Sequence, residues 1–229
     1  MTSDNLLNEI LLFNSLNKSE RINFICSRLL KIGCGYELQN FESSFGPGTN
    51  IVVFQMSVRS MPVIILTSHF DGQSLYDNNC GVLTLLRIIE KIYEKTQNRN
   101  YVIVFTDQEE TYQQGVYYFL KNNSELEIEM NINVDGFGIG ENIYTTDYIP
   151  INKSVMTILT DSECFKNAKI KSISIFSSFQ AEIEKSKKED VHSVFNNYSD
   201  NTFYINNFDI DNFNKLFSIL WEQICSPRQ

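Results

Sequence analysis

The spacing of hydrophobic positions predicts helices at both ends of the chain and alternating strands and helices between them. Apolar residues three or four apart, as at Leu7, Ile10 and Leu11, are typical of an amphipathic helix. Nearly unbroken apolar runs such as VIIL at 63–66 are typical of buried strands. The predicted helices are 5–16, 19–33, 80–96, 111–122, 153–166 and 209–224, and the predicted strands are 36–41, 50–58, 62–70, 101–107, 130–138, 142–147 and 171–178.

Glycine, proline and asparagine mark the breaks between these elements. Gly33 and Gly35 are expected to end the second helix, and GPG at 46–48 predicts the turn between the first two strands. The Asn-rich stretch 196–214 predicts a loop that leads into the last helix. This order indicates an α/β fold, a three-layer αβα sandwich with a mixed, mostly parallel central sheet. No linker is evident, so residues 1–229 are predicted to form a single domain, with N-terminal helices over 1–35.

Charge and cysteine content narrow the classes of partner. The net charge is −9 and the pI about 4.8, which argues against binding to nucleic acid or to an anionic membrane surface. The first 20 residues lack the pattern of a signal peptide, and no stretch reaches 18 apolar residues. Five cysteines without CxxC spacing are typical of free thiols in a reducing compartment, so we expect a cytoplasmic protein.

Acidic residues follow each of three neighbouring predicted strands. The strand ends read SHFDG, TDQEE and NVDGF, and the carboxyl ends of strands are where open α/β sheets bind ligands. A helix N-terminus could account for Asp107 or Glu109 alone, but not for acids at three strand ends. Crowded carboxylates repel one another unless cations neutralise them. The pattern therefore predicts a metal site.

The two histidines of the chain indicate which metal this is. His69 ends a predicted central strand among the acids, and His192 lies just before the last helix. Two metals that share a bridging carboxylate could take one imidazole each. Histidine and carboxylate ligands suit a pair of zinc ions, although cobalt or manganese could use the same donors.

Five short motifs occur in order along the chain: HFD at 69–71, YDNNCG at 76–81, DQEE at 107–110, NVDG at 133–136 and DVHS at 190–193. Together they resemble the motifs of the family-28 metallopeptidases, which are co-catalytic zinc aminopeptidases with glutaminyl cyclases among their relatives. The resemblance covers residues 50–225 and implies the zinc exopeptidase fold for this catalytic core. Two features depart from the family pattern: Val116 follows Gly115 where a serine is common, and Asn196 stands where an aspartate often follows the last histidine.

The resemblance also implies a role for each matching residue. His69 and Asp135 would bind the first zinc, Asp77 would bridge the two, and Glu110 and His192 would hold the second. Glu109 would be the general base, and Asp71 would orient His69.

Strand geometry supports two of these roles. Residues two apart on a strand point the same way, so Asp71 can approach the imidazole of His69 and select its tautomer. Adjacent residues in an extended segment point apart, so Glu109 and Glu110 cannot do the same task.

The resemblance implies a metal-dependent aminopeptidase that hydrolyses the N-terminal peptide bond through a metal-activated water. Its substrate would be a small peptide with a free N-terminus, and Asp107 and Asp147 are candidates for lining the pocket. Three alternatives stay open: a glutaminyl cyclase-like acyltransferase, another amide hydrolase on the same fold, and a catalytically inert binding homologue. Oligomeric state and side-chain preference are not readable from the sequence.

Overall fold

The computed structural model describes residues 3–56, 61–94, 99–145, 161–178 and 201–225. Its strands are β1 (Glu37–Ser43), β2 (Gly46–Gln55), β3 (Val63–His69), β4 (Asn100–Thr106), β5 (Ile128–Val134), β6 (Asn142–Thr145) and β7 (Ser172–Ser178). Its α-helices are α1 (Ser3–Ser15), α2 (Lys18–Ile32), α3 (Cys80–Glu94), α4 (Gln114–Asn122), α5 (Asp161–Asn167), α6 (Asn201–Asn207) and α7 (Ile210–Cys225). A π-helical turn, Leu75–Asn79, runs directly into α3. In these ranges no helix is both long and apolar enough to cross a membrane.

The strands form one mixed sheet in the order β1-β2-β4-β3-β5-β7-β6. The four consecutive strands β4, β3, β5 and β7 pair in parallel, whereas β1, β2 and β6 join the sheet by antiparallel pairs. In the parallel register His69 is the partner of Thr106, and Thr67 is the partner of Asn133. The chain therefore leaves β3, β4 and β5 at the same edge, as the predicted fold class requires.

Alternating strand residues belong to two hydrophobic cores, one on each face of the sheet. On β3, Ile64 and Leu66 pack into the core that includes apolar residues of α1, α2, α3 and α7. Val63 and Ile65 point the other way and pack with Val116 of α4 and with α5. Because successive strand side chains point to opposite faces, an unbroken apolar strand serves both layers. The predicted three-layer arrangement is confirmed.

Local signals set the boundaries of α2. Asn17 caps its N-terminus in a reciprocal capping box with Glu20, and Gly33 ends it in the left-handed conformation with φ 79°. A residue without Cβ adopts that conformation readily. Gly33 was predicted to end this helix, and that prediction is confirmed.

Two local predictions were wrong, and one element was not predicted. The turn between β1 and β2 lies at Ser44 and Phe45, because Gly46 already pairs with Ser43, so GPG at 46–48 belongs to β2. The stretch 196–214 includes helix α6, whose Tyr204 is fully buried and bonds the carbonyl of Phe137 at 3.3 Å. The π-helical turn was not foreseen. The buried contact of Tyr204 shows that α6 is stabilised by a distant segment rather than by local residue preference alone.

Candidate active site

Three side chains with metal-binding atoms converge where β3 and β4 end. His69 is the last residue of β3, and Glu109 and Glu110 follow β4 in the loop that leads to α4. One donor atom from each of the three lies within 4.8 Å of the others. His69 is buried, Glu109 half-buried and Glu110 exposed, so the cluster opens toward solvent on one side. This arrangement can hold a small cation at the sheet edge.

Asp71 contacts both halves of this cluster. Its Oδ1 lies 3.3 Å from Nδ1 of His69, and its Oδ2 accepts a hydrogen bond from the backbone N–H of Glu110 at 3.1 Å. Burial raises the pKa of Asp71, but the His69 contact and the N–H groups of Glu110 and Glu109 outweigh it and hold the pKa below its ordinary value. An ionised Asp71 fixes the tautomer with hydrogen on Nδ1, which makes Nε2 the nitrogen suited to a metal.

Arg21 of α2 fixes the loop that carries Asp71, and sequence reasoning missed it. Its guanidinium donates to the carbonyls of Phe70 at 2.7 Å and Gly72 at 2.6 Å. The side chain is buried at 3% exposure. A signal was present: Arg21 precedes Ile25 by four residues, which places a charge on the apolar face of the predicted helix.

Gly72 and Asn78 close this loop against the glutamate pair. The amide of Asn78 donates to the carbonyl of Asp71. Gly72 has φ +88°, and a Cβ there would lie 3.0 Å from Oε1 of Glu110 and 2.7 Å from the amide nitrogen of Asn78. Only glycine fits this backbone without moving a site residue.

The loop that carries Glu109 and Glu110 is held in an unusual backbone conformation. Gln108, Tyr112 and Gln113 have positive φ values of 59°, 64° and 57°. A bulky residue such as tyrosine seldom adopts positive φ, and such strain is concentrated at functional sites. Backbone bonds close the loop, from the N–H of Gln113 to Glu109 at 2.9 Å and from the N–H of Gly115 to Asp107 at 3.0 Å.

Gln108, a second residue that the sequence did not identify, joins this loop to the β1–β2 turn. Its Nε2 donates to the carbonyls of Gly46 and Pro47 at 3.2 Å each, and its Oε1 accepts from the hydroxyl of Ser43 at 2.7 Å. The side chain is buried. These bonds offset the strain of its backbone and hold the glutamate pair against the turn.

The prediction that Asp107 lines a substrate pocket was wrong. Its carboxylate is 1% exposed, pairs with Lys18 at 2.5 Å and accepts from the N–H of Thr49 at 2.9 Å. Burial raises its pKa above the ordinary value, although Lys18 opposes the shift. Asp107 thus anchors the loop from within the fold. Asp147, the other candidate, lies outside the described residues.

Of the other three predicted metal ligands, only Asp135 has a described side chain, and it is not part of the cluster of His69, Glu109 and Glu110. Asp135 is half-buried directly after β5, and its backbone N–H donates to Ile175 at 3.1 Å. Asp77 belongs to the π-helical turn, but its side chain is outside what the structure describes, as is all of His192. The start of α3 packs closely on the strand ends, because a Cβ on Gly81 would lie 2.7 Å from the Val134 carbonyl and 2.8 Å from that of Asp135. This packing brings the segment that contains Asp77 to the edge of the sheet.

The cluster fits zinc by the chemistry of its donors. One imidazole nitrogen and carboxylate oxygens are the ligands of catalytic zinc sites, which keep a position open for water or substrate. The contact between His69 and Asp71 adds the carboxylate–histidine arrangement that such sites use. The predicted number of two ions stays a prediction.

Asp161, at the start of α5, has a buried carboxylate close to the site. The sequence did not identify this residue. It is 0% exposed and accepts a 2.5 Å hydrogen bond from the hydroxyl of Thr106, the last residue of β4. Burial raises its pKa from the ordinary 3.8 to about 6, while Thr106 and the charge of His69 oppose the shift. Its Oδ1 has no hydrogen-bond partner within the described part of the chain.

Asp161→Asn is expected to change the pH dependence of stability in the chelator-treated protein. The raised pKa means that the folded state binds more protons than the unfolded state between pH ~4 and ~6. The wild-type free energy of unfolding should therefore fall, relative to that of the variant, as pH rises through this window, by roughly 2 kcal/mol. Urea unfolding at pH 4.5 and pH 7.5 measures the difference, and a difference that does not vary with pH would contradict the assignment.

Comparisons with known proteins show the family and the fold of the chain. Residues 50–220 match the model of peptidase family M28. The chain is 27% identical over 143 residues to a vacuolar membrane protease of Schizosaccharomyces japonicus (strain yFS275 / FY16936), a match that covers 56% of this chain. The matched region is 17% of that protein's length.

Solved structures of two kinds share the fold over nearly the whole chain. A Zn-dependent exopeptidase from Parabacteroides distasonis superimposes with a TM-score of 0.73 at 15% identity, covering 99% of this chain and 98% of that one. Glutaminyl cyclase from Porphyromonas gingivalis superimposes with a TM-score of 0.72 at 15% identity, covering 97% and 98%. At these identities the likeness shows the fold alone.

Proposed function

The chain belongs to peptidase family M28, and from this premise we propose that it is a zinc-dependent aminopeptidase that hydrolyses the N-terminal bond of small peptides. The observation that carries the proposal is the convergence of His69, Glu109 and Glu110, with donor atoms within 4.8 Å of one another. They meet where β3 and β4 end, at the edge where open α/β sheets bind ligands.

His69 and Glu110 are the described residues that would hold zinc, together with the predicted ligands Asp77, Asp135 and His192. Zinc, when bound, supplies Lewis-acid chemistry that lowers the pKa of water and polarises a carbonyl. Asp71 accepts from Nδ1 of His69, so Nε2 is the nitrogen that would bind the ion. Arg21 keeps the backbone of this loop in place through its bonds to the carbonyls of Phe70 and Gly72.

Glu109 is the residue that moves the proton. Its Oε2 lies 4.0 Å from Nδ1 of His69, and its side chain is 9% exposed, so it lies next to the ligands yet remains within reach of water. In the proposed reaction Glu109 accepts a proton from the attacking water and then donates it to the leaving amine. Glu110 is exposed, whereas Glu109 is half-buried, so the two neighbouring glutamates lie in different surroundings and can carry out different tasks.

A glutaminyl cyclase activity is the second candidate. The fold matches a cyclase and an exopeptidase almost equally well, with TM-scores of 0.72 and 0.73. A cyclase would use the same base and zinc ligands, but the substrate's own α-amine attacks the carbonyl of its glutamine side chain and ammonia leaves, so no water is added. Substrate tests decide between the two reactions.

The purified protein is expected to contain zinc and to cleave the N-terminal residue from aminoacyl amides and dipeptides. Chelator treatment should abolish cleavage, and added zinc should restore it. A screen of N-terminal residues, with metal analysis of each preparation, makes the measurement, and a peptide with N-terminal glutamine reports cyclisation. Pyroglutamate formation without cleavage of any other peptide would favour the cyclase, and zinc binding without either reaction would favour a binding homologue.

Charge and cysteine content bear on the partners and the location of the protein. The acidic net charge of −9 leads us to expect no nucleic-acid partner. None of the five cysteines forms a disulfide in the described part of the chain. The cytoplasmic location stays a proposal, because the matched protein is named a vacuolar membrane protease and the matched region is only 17% of its length.

A further inference from the structure

Two exposed aromatic rings lie together beside the glutamate pair. Tyr112 is 71% exposed, the most of any large hydrophobic side chain in the described residues, and Phe45 is 50% exposed. Their ring centroids are 5.7 Å apart with an interplanar angle of 30°. Tyr112 follows Glu110 by two residues, so their Cα atoms are at most ~7.6 Å apart. We call Phe45 and Tyr112 the aromatic pair.

The aromatic pair is connected to the loop that carries Glu109 and Glu110, through hydrogen bonds for Phe45 and through the chain itself for Tyr112. Phe45 lies in the β1–β2 turn, where its N–H donates to the hydroxyl of Ser43 at 3.0 Å. That hydroxyl donates at 2.7 Å to Gln108, the residue that directly precedes the glutamates. Tyr112 is held at φ 64° in the loop that contains the glutamates. Exposing a bulky ring from a strained backbone has a free-energy cost, and such cost at a site edge indicates function.

We propose that the aromatic pair is a specificity subsite for an apolar or aromatic side chain on the carboxyl-terminal side of the scissile bond. This inference rests on the proposed peptidase function. Glu109 returns its proton to the leaving amine, so the residue that carries this amine lies along the Glu109 loop. That residue is the first after the scissile bond, and Tyr112 is on the same loop, two residues after Glu110, so a side chain that lies along the loop can contact its ring.

The small area of the aromatic pair and the acidic net charge of the chain favour a peptide over other occupants. A stable protein interface buries about 800 Å² on each partner, far more than two rings offer. The acidic chain disfavours an anionic lipid surface. A single aromatic side chain matches the pair, since offset or tilted ring contacts form at centroid distances of about 4.5–7 Å.

The test compares two amidated dipeptides that differ only after the scissile bond. Both begin with the N-terminal residue that the wild-type enzyme cleaves best, followed by Phe-NH2 in one and Gly-NH2 in the other. The wild-type zinc enzyme is expected to show a kcat/KM about tenfold higher for the Phe peptide, equivalent to ~1.4 kcal/mol. Release of the free N-terminal amino acid is the measured quantity, so no chromogenic leaving group interferes.

Tyr112→Asn should reduce this Phe-to-Gly preference to nearly one, because asparagine tolerates positive φ but offers no ring. Phe45→Ser should reduce it as well and is an independent check if one variant folds poorly. Tyr117→Asn is the matched control, since Tyr117 is a 54% exposed tyrosine on α4, and it should leave the preference at the wild-type value.

The outcomes separate this inference from the proposed function. Cleavage of both peptides without a preference for phenylalanine overturns the subsite alone, as does a preference that survives Tyr112→Asn and Phe45→Ser. If Tyr112→Asn or Phe45→Ser changes the oligomeric mass but leaves the Phe-to-Gly preference unchanged, the subsite is overturned in favour of a protein interface. If the zinc-loaded wild type cleaves neither peptide, the proposed function fails, and the subsite fails with it.

Discussion

Replacing Glu109 by glutamine is expected to lower kcat by roughly 10²–10⁴-fold while the bound zinc is retained. Glutamine has nearly the same shape and can keep the side-chain position, but it cannot accept a proton from water or return one to the leaving amine. Glu109 lies within the donor cluster, so it could act either as the base or as a metal ligand. Measuring the metal content of the variant distinguishes these two roles. Steady-state kinetics together with metal analysis of the same preparation provide both quantities.

Glu110→Gln is the informative comparison, because loss of a ligand should weaken zinc binding as well as activity. Glu125→Gln serves as the neutral control, since Glu125 is exposed beyond α4. Hydrolysis by Glu109→Gln at the wild-type rate would remove Glu109 from the mechanism. Zinc loss from Glu109→Gln that matches the loss from Glu110→Gln would identify Glu109 as a ligand instead.

Arg21→Met is expected to lower the free energy of unfolding by about 3 kcal/mol or more. Methionine fills much of the volume, but the carbonyls of Phe70 and Gly72 lose charged donors at 2.7 Å and 2.6 Å. The carbonyl of Leu16 also loses its bond from Nε of Arg21, at 3.1 Å. A buried acceptor left without a partner has a larger cost than the bond itself contributed. Urea unfolding of the chelator-treated protein measures the change without a contribution from metal.

The loop that Arg21 holds also carries Asp71, so the variant should bind zinc more weakly at a temperature where it is still folded. Lys31→Met is the control on the same helix, since Lys31 is exposed in the last turn of α2 and should change stability by less than ~0.5 kcal/mol. If Arg21→Met and Lys31→Met unfold at the same urea concentration, the buried guanidinium does not support this loop.

Sequence periodicity predicted the layers of the fold because it is a local property of the chain. Strand β3 was predicted as 62–70 and observed as Val63–His69, and the closing helix was predicted as 209–224 and observed as Ile210–Cys225. One of the errors lies where a distant residue decides the conformation. Tyr204 makes α6 part of the core by packing under Phe137, a residue 67 positions away. No local pattern within 196–214 contains that information.

The sequence by itself determined which edge of the sheet holds the site. Carboxyl ends of parallel strands meet at one edge, so the acids and the histidine that follow them had to approach one another. His69, Glu109 and Glu110 do so. The roles assigned to these residues, and to Asp77, Asp135 and His192, stay predictions.

Only the tertiary structure decided what holds the site residues in place. Arg21 reaches a carbonyl 49 residues away, Gln108 binds a hydroxyl 65 residues away, and Asp161 binds one 55 residues away. Each is a buried polar group whose cost is offset by a partner that becomes adjacent only after the sheet has formed. Residue type and spacing are encoded along the chain and can be read there. The pairing of buried polar groups is a property of the folded chain, because it depends on which distant segments share the same low-dielectric interior.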